Sequence, residues 1–300
     1  MKKILISGGS GLVGKHLYWK LINKGYSVAV LSRTKIKNAD VKTYYWDLEK
    51  NEIEKEAIET ADYIIHLAGA NIGEKRWTKK RKKIILESRV KTAQLIFNAV
   101  KENKKKLTAY ISASAVGYYG AITSENIFTE DDLSYPDFLG ETCRKWEEAA
   151  DNFETLGIRT VKIRTGLVLA KNKGSLSKIA KPVKLGIGSA LGNGRQFIPW
   201  IHIDDLCNIY IKAIEDNAIS GVYNAVATEH ITNTAFTKTL AHILNKPFFF
   251  PNIPSFVLKL IYGKMAEILL KGSKVSSQKI INSGYQFKFP TLESALLDLF

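Results

Sequence analysis

The residues best suited to chemistry stand at the start of the chain. In MKKILISGGSGLVG a short apolar stretch runs into Gly8, Gly11 and Gly14, the spacing of a turn that joins a buried strand to a helix. Glycine suits three needs there: the backbone reverses tightly, it approaches a pyrophosphate, and helix packs closely on strand. The helix start then offers free N–H groups and a partial positive charge, so Ser10, Leu12 and Val13 are expected to meet phosphates together with the three glycines. Ser32 and Arg33 follow at the end of the next apolar run. An NAD site usually carries Asp or Glu at that point for the ribose 2′-hydroxyl, and a carboxylate repels a 2′-phosphate. A hydroxyl and a guanidinium bind that phosphate by charge-assisted hydrogen bonds, which predicts NADP as the cofactor. The competing reading takes Arg33 as an ordinary solvated residue beside Lys35 and Lys37.

These groups need a frame of alternating strands and helices. Residues 4–7 read as a buried strand, 16–23 as a helix closed by Gly25, and 27–31 as a second strand, which together make a βαβ unit. A third strand is expected over 43–46, ending at Asp47 and Leu48, an acidic and an apolar side chain suited to adenosine. The run 61–67 reads as a fourth strand whose end carries Leu67, Ala68 and Gly69, small enough to let a cofactor lie on the backbone. A long helix over 80–100, a fifth strand over 109–112, a helix over 140–156 and a sixth strand over 160–164 continue the alternation. Glycine density then rises across 166–206, too long for a plain connection, and Asp204 and Asp205 open another helix. The last fifty residues begin among Pro247, Pro251 and Pro254 and continue through an amphipathic helix over 256–270. The expected fold class is α/β, a Rossmann doubly wound parallel sheet with a small C-terminal α/β substrate lobe. Residues 1–165 with about 203–230 form the first unit; about 166–202 and 231–300 form the second, with 250–300 its family-specific end.

Three hundred residues, 45% of them apolar, suffice for one large core or a core with an appended lobe. No apolar run approaches the roughly 18 residues of a membrane span and no signal peptide is visible, so the expectation is a cytoplasmic protein without a membrane partner. The net charge of +15, from 44 basic against 29 acidic residues, would suit a nucleic-acid binder. The basic residues are mostly lysines scattered along the chain, without interleaved aromatics or a helix-turn-helix, which argues against specific nucleic-acid binding. Cys143 and Cys207 have no metal-ligand spacing, and no metal is expected.

Several motifs occur in a recognisable order: RWTKKRKKIILESRV (76–90), SASAVGYYG (112–120), GNGRQFIPWIHIDDL (192–206), and IPSFVLKLIYGKMAEILLKGSKV with GYQFKFPTLESAL near the end. Over nearly its whole length the chain resembles the atypical "epimerase family" of extended short-chain dehydrogenases/reductases, which includes bacterial proteins labelled putative epimerases or cell-division inhibitors. The resemblance implies a Ser after the fifth strand that holds a substrate oxygen. It also implies a Tyr-x-x-x-Lys on the next helix, whose phenol exchanges a proton while hydride moves to or from nicotinamide. Ser114 matches the serine. The Tyr-x-x-x-Lys does not survive: its expected place is Leu139-Gly140-Glu141-Thr142-Cys143, and Tyr135 is followed four residues later by Leu139. Tyr118 and Tyr119, beside Ser114, are the nearest replacement proton donors, or else packing residues at a strand end.

By the same resemblance Arg89 reaches cofactor phosphates or ribose, or is an exposed helix arginine. Ser112 contacts the nicotinamide ribose, and Arg164 and the Val168 backbone border the nicotinamide. Trp77, Phe138, Gln196, Trp200 and His202 are expected around the substrate, with a structural histidine the alternative for His202. The implied function is an NADP-dependent oxidoreductase or epimerase acting on a small molecule, as a monomer or homodimer. The alternative is an NADP-sensing regulatory or scaffold protein without turnover.

Overall fold

The computed structural model describes residues 1–34 and 41–300; Lys35 and Lys37, named above beside Arg33, lie outside the described residues. In chain order the described strands are β1 (Lys3–Ser7), β2 (Ser27–Ser32), β3 (Lys42–Asp47), β4 (Glu52–Ile53), β5 (Tyr63–His66) and β6 (Ala109–Ala115). They continue as β7 (Ile127–Phe128), β8 (Arg159–Thr165), β9 (Leu167–Leu169), β10 (Trp200–His202), β11 (Gly221–Ala225) and β12 (Lys274–Val275). The helices are α1 (Leu12–Asn23), α2 (Lys55–Glu59), α3 (Lys79–Glu102), α4 (Phe138–Asp151), α5 (Gly174–Lys184) and α6 (Ile203–Glu215). The C-terminal ones are α7 (Asn233–Ile243), α8 (Ser255–Tyr262), α9 (Glu267–Leu270), α10 (Gln278–Asn282) and α11 (Leu292–Leu299).

Strands that are apolar on both faces, such as Ile4, Leu5 and Ile6 of β1, must be covered from both sides, and a parallel sheet flanked by helices does this. Eight strands form that sheet in the order β11-β8-β6-β5-β1-β2-β3-β4. Neighbours run parallel except β4, antiparallel to β3. From β1 the chain moves outward through β2 and β3, then crosses to β5 and moves outward the other way. The reversal between β1 and β5 is a topological switch point, where open α/β sheets bind ligands beyond the carboxyl ends of their strands. The doubly wound Rossmann sheet expected from the sequence is present.

Side-chain alternation divides the core. Ile4, Ile6, Ile65 and Ile111 face α1 and α6 through Leu17, Leu21, Ile209 and Ile214. Leu5, Ile64 and Tyr110 face α2, α3 and the end of α4 through Ile58, Ile96 and Ala150, with Tyr110 stacked on Phe153 at 3.6 Å. A third cluster joins Leu176 and Ala180 of α5, Trp200 of β10, Phe236 and Leu240 of α7, and Leu296 and Leu299 of α11.

Element boundaries differ from expectation where glycine acts. The first helix starts at Leu12 rather than residue 16, directly on the turn. The 256–270 helix breaks because Gly263 stands at φ +58, a left-handed conformation that ends α8. The 140–156 helix ends at Asp151 and tightens into a 3₁₀ turn over Asn152–Leu156 before Gly157. The glycine-rich 166–206 segment holds α5 between β9 and β10, which pair in parallel. The fully buried Asp205 carboxylate ties the C-terminal GYQFKFP segment to α6, accepting from Tyr285 Oη (2.7 Å), Lys288 N (2.8 Å) and Phe289 N (2.9 Å). Among the described residues no helix is long and apolar enough to cross a membrane.

Candidate functional site

The glycine turn lies at the switch point. Gly8 adopts φ +75, and a Cβ there would stand 2.8 Å from the Leu67 carbonyl carbon, so this turn and the end of β5 touch backbone to backbone. A Cβ on Gly14 would meet Gly8 O at 2.4 Å and Gly9 Cα at 2.7 Å, so α1 approaches the turn as closely as backbone permits. A Cβ on Gly11 would lie 3.2 Å from Gly8 O. Helices α3, α4, α6, α7 and α11 begin with side-chain caps, whereas α1 begins on Gly11 with none and with no acidic residue in its first turn. Its first N–H groups, at Leu12, Val13 and Gly14, are therefore open to an anion. Ser10 is exposed beside them.

Below the turn a buried polar chain holds β1, β5 and α3 together. Ser7 Oγ lies 2.7 Å from His66 Nδ1, and His66 Nε2 lies 3.1 Å from Thr92 Oγ1, which donates to Ser88 O. Ala68 N donates to Ser7 Oγ at 3.4 Å. A neutral ring satisfies the chain with Ser7 O–H donating to Nδ1, Nε2–H to Thr92 and Thr92 O–H to the Ser88 carbonyl. Burial pushes the His66 pKa down to about 4, which keeps the ring neutral at pH 7. Below pH 6.5 the unfolded chain gains a proton at His66 that the folded chain refuses until about pH 4. Stability is expected to fall across that window by up to about 3 kcal/mol. Urea unfolding at pH 7 and pH 4.5 measures it, and His66→Gln should lose correspondingly less on acidification; an identical loss in both proteins would sink the assignment.

Toward β2, Arg33 is exposed and makes no side-chain hydrogen bond or ion pair among the described residues. Ser32 Oγ accepts from Thr34 N at 3.2 Å. The Asp47 carboxylate accepts from Tyr45 Oη (2.9 Å), Glu49 N (2.8 Å) and Lys50 N, and the tyrosine bond leads in holding its pKa below the ordinary value. Leu48 packs on the core beside it. On the other side of the turn, half-buried Leu67 and Ala68 are followed by Gly69, whose absent Cβ would lie 3.1 Å from Arg89 Cζ.

The three residues expected to be catalytic are separated by their partners. Ser114 is buried, and its Oγ donates to Glu147 Oε1 at 2.6 Å. Tyr119 is buried, donates to Asn224 Oδ1 at 2.8 Å and accepts from Arg164, and burial pushes its pKa up to about 12. Both hydroxyl protons are thus committed to protein acceptors, Glu147 and Asn224. Arg164 makes a bidentate pair with Glu147 (2.9 Å to each oxygen) and donates to Tyr119 Oη and Glu130 O. Its Cζ lies 3.4 Å from the centre of the Tyr118 ring. Only the half-buried Tyr118 keeps a hydroxyl without a protein partner among the described residues. Leu139 and Cys143 do face this segment, because a Cβ on Gly117 would lie 3.5 Å from Leu139 Cβ and 3.7 Å from Cys143 Sγ. Burial holds the Cys143 thiol up at about 12, so it is protonated.

Other expected residues sort by burial. Ser112 is buried within β6 and donates to Ala113 O. Val168 pairs with Ile201 in the two-stranded sheet. Trp77 and Phe138 meet edge to face at 5.0 Å in a cluster with Ile85, Leu139 and Met265. Trp200 is wholly buried in the third cluster, and His202 caps α6, its Nδ1 accepting from Asp204 N. The His202 ring lies over Phe289, with Nε2 3.3 Å from Asp298 Oδ2 but not aligned for a hydrogen bond. Gln196 is buried and ties two loops together, Nε2 donating to Leu191 O and Leu269 O. For Trp200 and His202 the burial follows from β10, which places both side chains inside, whereas Gln196 lies before that strand and is buried between the two loops it joins.

The model of the NAD dependent epimerase/dehydratase family matches residues 4–225. The chain belongs to that family. A second model, a domain of unknown function (DUF1731), matches residues 253–299, the segment expected to be the family's own C-terminal end. Epimerase family protein YfhF of Bacillus subtilis is 36% identical over 301 residues, covering 99% of this chain and 97% of YfhF. The crystal structure of human epimerase family protein SDR39U1 with NADPH superposes with a TM-score of 0.89 at 33% identity, covering 99% of this chain and 98% of that one. A nucleoside-diphosphate sugar epimerase from Corynebacterium glutamicum gives 0.81 at 31% identity, with 99% of this chain matching 58% of that one.

Within this epimerase/dehydratase chain three groups escaped sequence reasoning: Glu147, the Ser7–His66–Thr92 chain and Asp205. Glu147 left one signal, an acidic residue beside Trp146 on the face of α4 that carries Leu139 and Cys143. The C-terminal domain also meets the Trp77 cluster directly, through Met265, Tyr262 and Ile268. Arg76 fastens it, donating from Nε to Ile261 O at 2.7 Å and from Nη2 to Leu260 O at the end of α8.

Proposed function

We propose that this protein binds NADP across the β1–β5 switch point and reduces, oxidises or epimerises a small carbonyl-bearing molecule, with Tyr118 as the group that carries the proton. The observation that carries the reading is the uncapped glycine turn followed by an exposed Arg33, without a side-chain partner among the described residues, where an NAD site has a carboxylate. The relative solved with NADPH supports the same cofactor. Gly8, Ser10, Gly11, Leu12, Val13 and Gly14 would hold the pyrophosphate, Ser32 and Arg33 the 2′-phosphate, Asp47 and Leu48 the adenosine. Leu67, Ala68, Gly69, Ser112 and Val168 would border the other half. Residues 1–165 with about 203–230 form the cofactor unit, and about 166–202 with 231–300 form the substrate lobe. When bound, the cofactor supplies or accepts hydride; the chain itself orients it and keeps one phenol at the crevice.

Two substitutions test the parts separately. Arg33→Asp is expected to shift the NADPH:NADH affinity ratio at least about tenfold toward NADH, by losing a charge-assisted pair and adding a repulsive carboxylate. An unchanged ratio in a fluorescence titration removes the 2′-phosphate assignment. In a carbonyl panel with NADPH, Tyr118→Phe should lose most turnover and Tyr119→Phe should lose stability instead; full activity in Tyr118→Phe rejects the proton donor.

One observation favours a second reading. With Leu139 and Cys143 at the Tyr and Lys positions and Ser114 bonded to Glu147, the site keeps a binding turn but little acid–base machinery. A protein that senses NADP without turnover fits that arrangement. Tight NADPH binding with no oxidation across the panel would select it.

A further inference from the structure

The C-terminal region leaves an apolar face uncovered. Helix α8 packs on the molecule through Leu258, whereas Phe256 and Leu260, one turn apart on the other side, are 70% and 75% exposed. Shortly before the helix, Phe249 and Phe250 stack on each other at 4.6 Å and are exposed as well. The backbone between the two pairs is held in place, because Ile253 N donates to Ala190 O (2.8 Å) and Gly192 N donates to Ile253 O (2.9 Å). An anchored segment thus holds four large apolar side chains out from the surface. A cluster of that kind marks a contact surface rather than scattered exposure.

Charge says what the contact is with. Residues 230–266 contain no aspartate or glutamate, while Lys238, Lys246, Lys259 and Lys264 are exposed and make no ion pair among the described residues. Lys246 precedes the stacked phenylalanines, and Lys259 stands on α8 between Phe256 and Leu260. The end of α5 adds the same sign: a Cβ on Gly186 would lie 3.9 Å from Pro247 Cγ, which sets the last turn of α5, with exposed Lys181 and Lys184, beside this segment. A second copy of the chain would set lysines against lysines, and lysine is depleted from protein–protein interfaces. An anionic bilayer suits both halves of the face. Phenylalanine and leucine enter the acyl boundary, while lysine stems run along it and keep their ammonium groups among the headgroups. Such a surface lies on the bilayer and needs no helix long enough to cross it.

We propose that the face made by Phe249, Phe250, Phe256 and Leu260, flanked by Lys246 and Lys259, docks this protein peripherally on an anionic lipid bilayer. The test is flotation of the purified full chain with two kinds of vesicle, phosphatidylcholine alone and phosphatidylcholine with about one-third phosphatidylglycerol. Wild type is expected to bind the anionic vesicles at least about tenfold more tightly than the neutral ones and to be released as salt is raised. Phe256→Ser with Leu260→Ser should weaken binding to the anionic vesicles roughly 10- to 100-fold and leave the melting curve in place, since both side chains are exposed. Lys246→Glu with Lys259→Glu should weaken it at least about tenfold and remove the preference for anionic lipid. The lysine pair exchanges polar for polar on the surface, so it carries the test alone if the apolar pair does not fold. A wild type that ignores anionic vesicles overturns the proposal, as does a folded variant of either pair that binds them as tightly as wild type. A concentration-dependent dimer in light scattering that Phe256→Ser with Leu260→Ser dissolves, with no vesicle binding, also overturns it and assigns the face to a second copy.

Discussion

Gly14→Val is expected to abolish NADPH binding, with a loss of at least about 100-fold in affinity. The new Cβ would start 2.4 Å from Gly8 O and 2.7 Å from Gly9 Cα, both backbone atoms that cannot swing aside. Relief requires α1 to retreat from the sheet or the turn to open. The turn is itself held, because Gly8 sits at φ +75 with its missing Cβ aimed at the Leu67 backbone 2.8 Å away. Overpacking in a yielding core costs about 1–3 kcal/mol, and a contact between two backbones belongs above that range. Either movement displaces the open N–H groups of Leu12, Val13 and Gly14 from a common focus. Gly25→Ala is the control: its φ is +85, so a side chain is strained, but nothing lies within 4 Å of the added atom. It should cost about 1 kcal/mol of stability and leave NADPH affinity intact. A Gly14→Val protein that binds NADPH within a few-fold of wild type would show that the turn is not the binding element.

Glu147→Ala is expected to destabilise the fold by about 3–5 kcal/mol, because it strands the Arg164 charge among buried neighbours. The side chains of Arg164 and Glu147 are only 3% and 7% exposed. The same carboxylate accepts the Ser114 hydroxyl, so one substitution leaves a cation and a hydroxyl unpaired. For a chain of this size the loss corresponds to a melting temperature lower by about 5–8 degrees. Arg164→Met alone strands the carboxylate. The double variant strands neither charge, so its loss should be well below the sum of the single losses. Melting curves of the four proteins decide it. Additive losses, or a Glu147→Ala protein within about 1 kcal/mol of wild type, would mean the network contributes little. Because Arg164 also lies on the Tyr118 ring and bonds Tyr119, its loss should loosen the end of β6.

The order of strands and the glycine turn were legible in the chain because each rests on local chemistry. A period of two or 3.6 marks an element. A glycine at a fixed spacing marks a backbone that must bend or be approached, and a missing residue type is missing at any fold. The helix starts and breaks were less legible, since Gly11 and Gly263 act through a conformation rather than through hydropathy.

Residue roles beyond the turn depended on which groups the sheet brought together. Ser114 and Tyr119 look free in SASAVGYYG, yet Glu147, 33 positions after Ser114, and Asn224, 105 positions after Tyr119, take their hydrogen bonds. Arg164 and Arg89 are alike as letters, but among the described residues Arg164 is paired with the Glu147 carboxylate while Arg89 bonds only the Ala70 and Ile85 carbonyls. Trp200 and His202 lie in a motif that reads as pocket lining, but the pairing of β10 with β9 turns both inward. Periodicity and turn chemistry operate between near neighbours, so the chain specifies its strands, its helices and its glycine turn. Hydrogen-bond satisfaction and charge balance operate between residues a hundred positions apart, and those decided which polar groups remain free at the crevice.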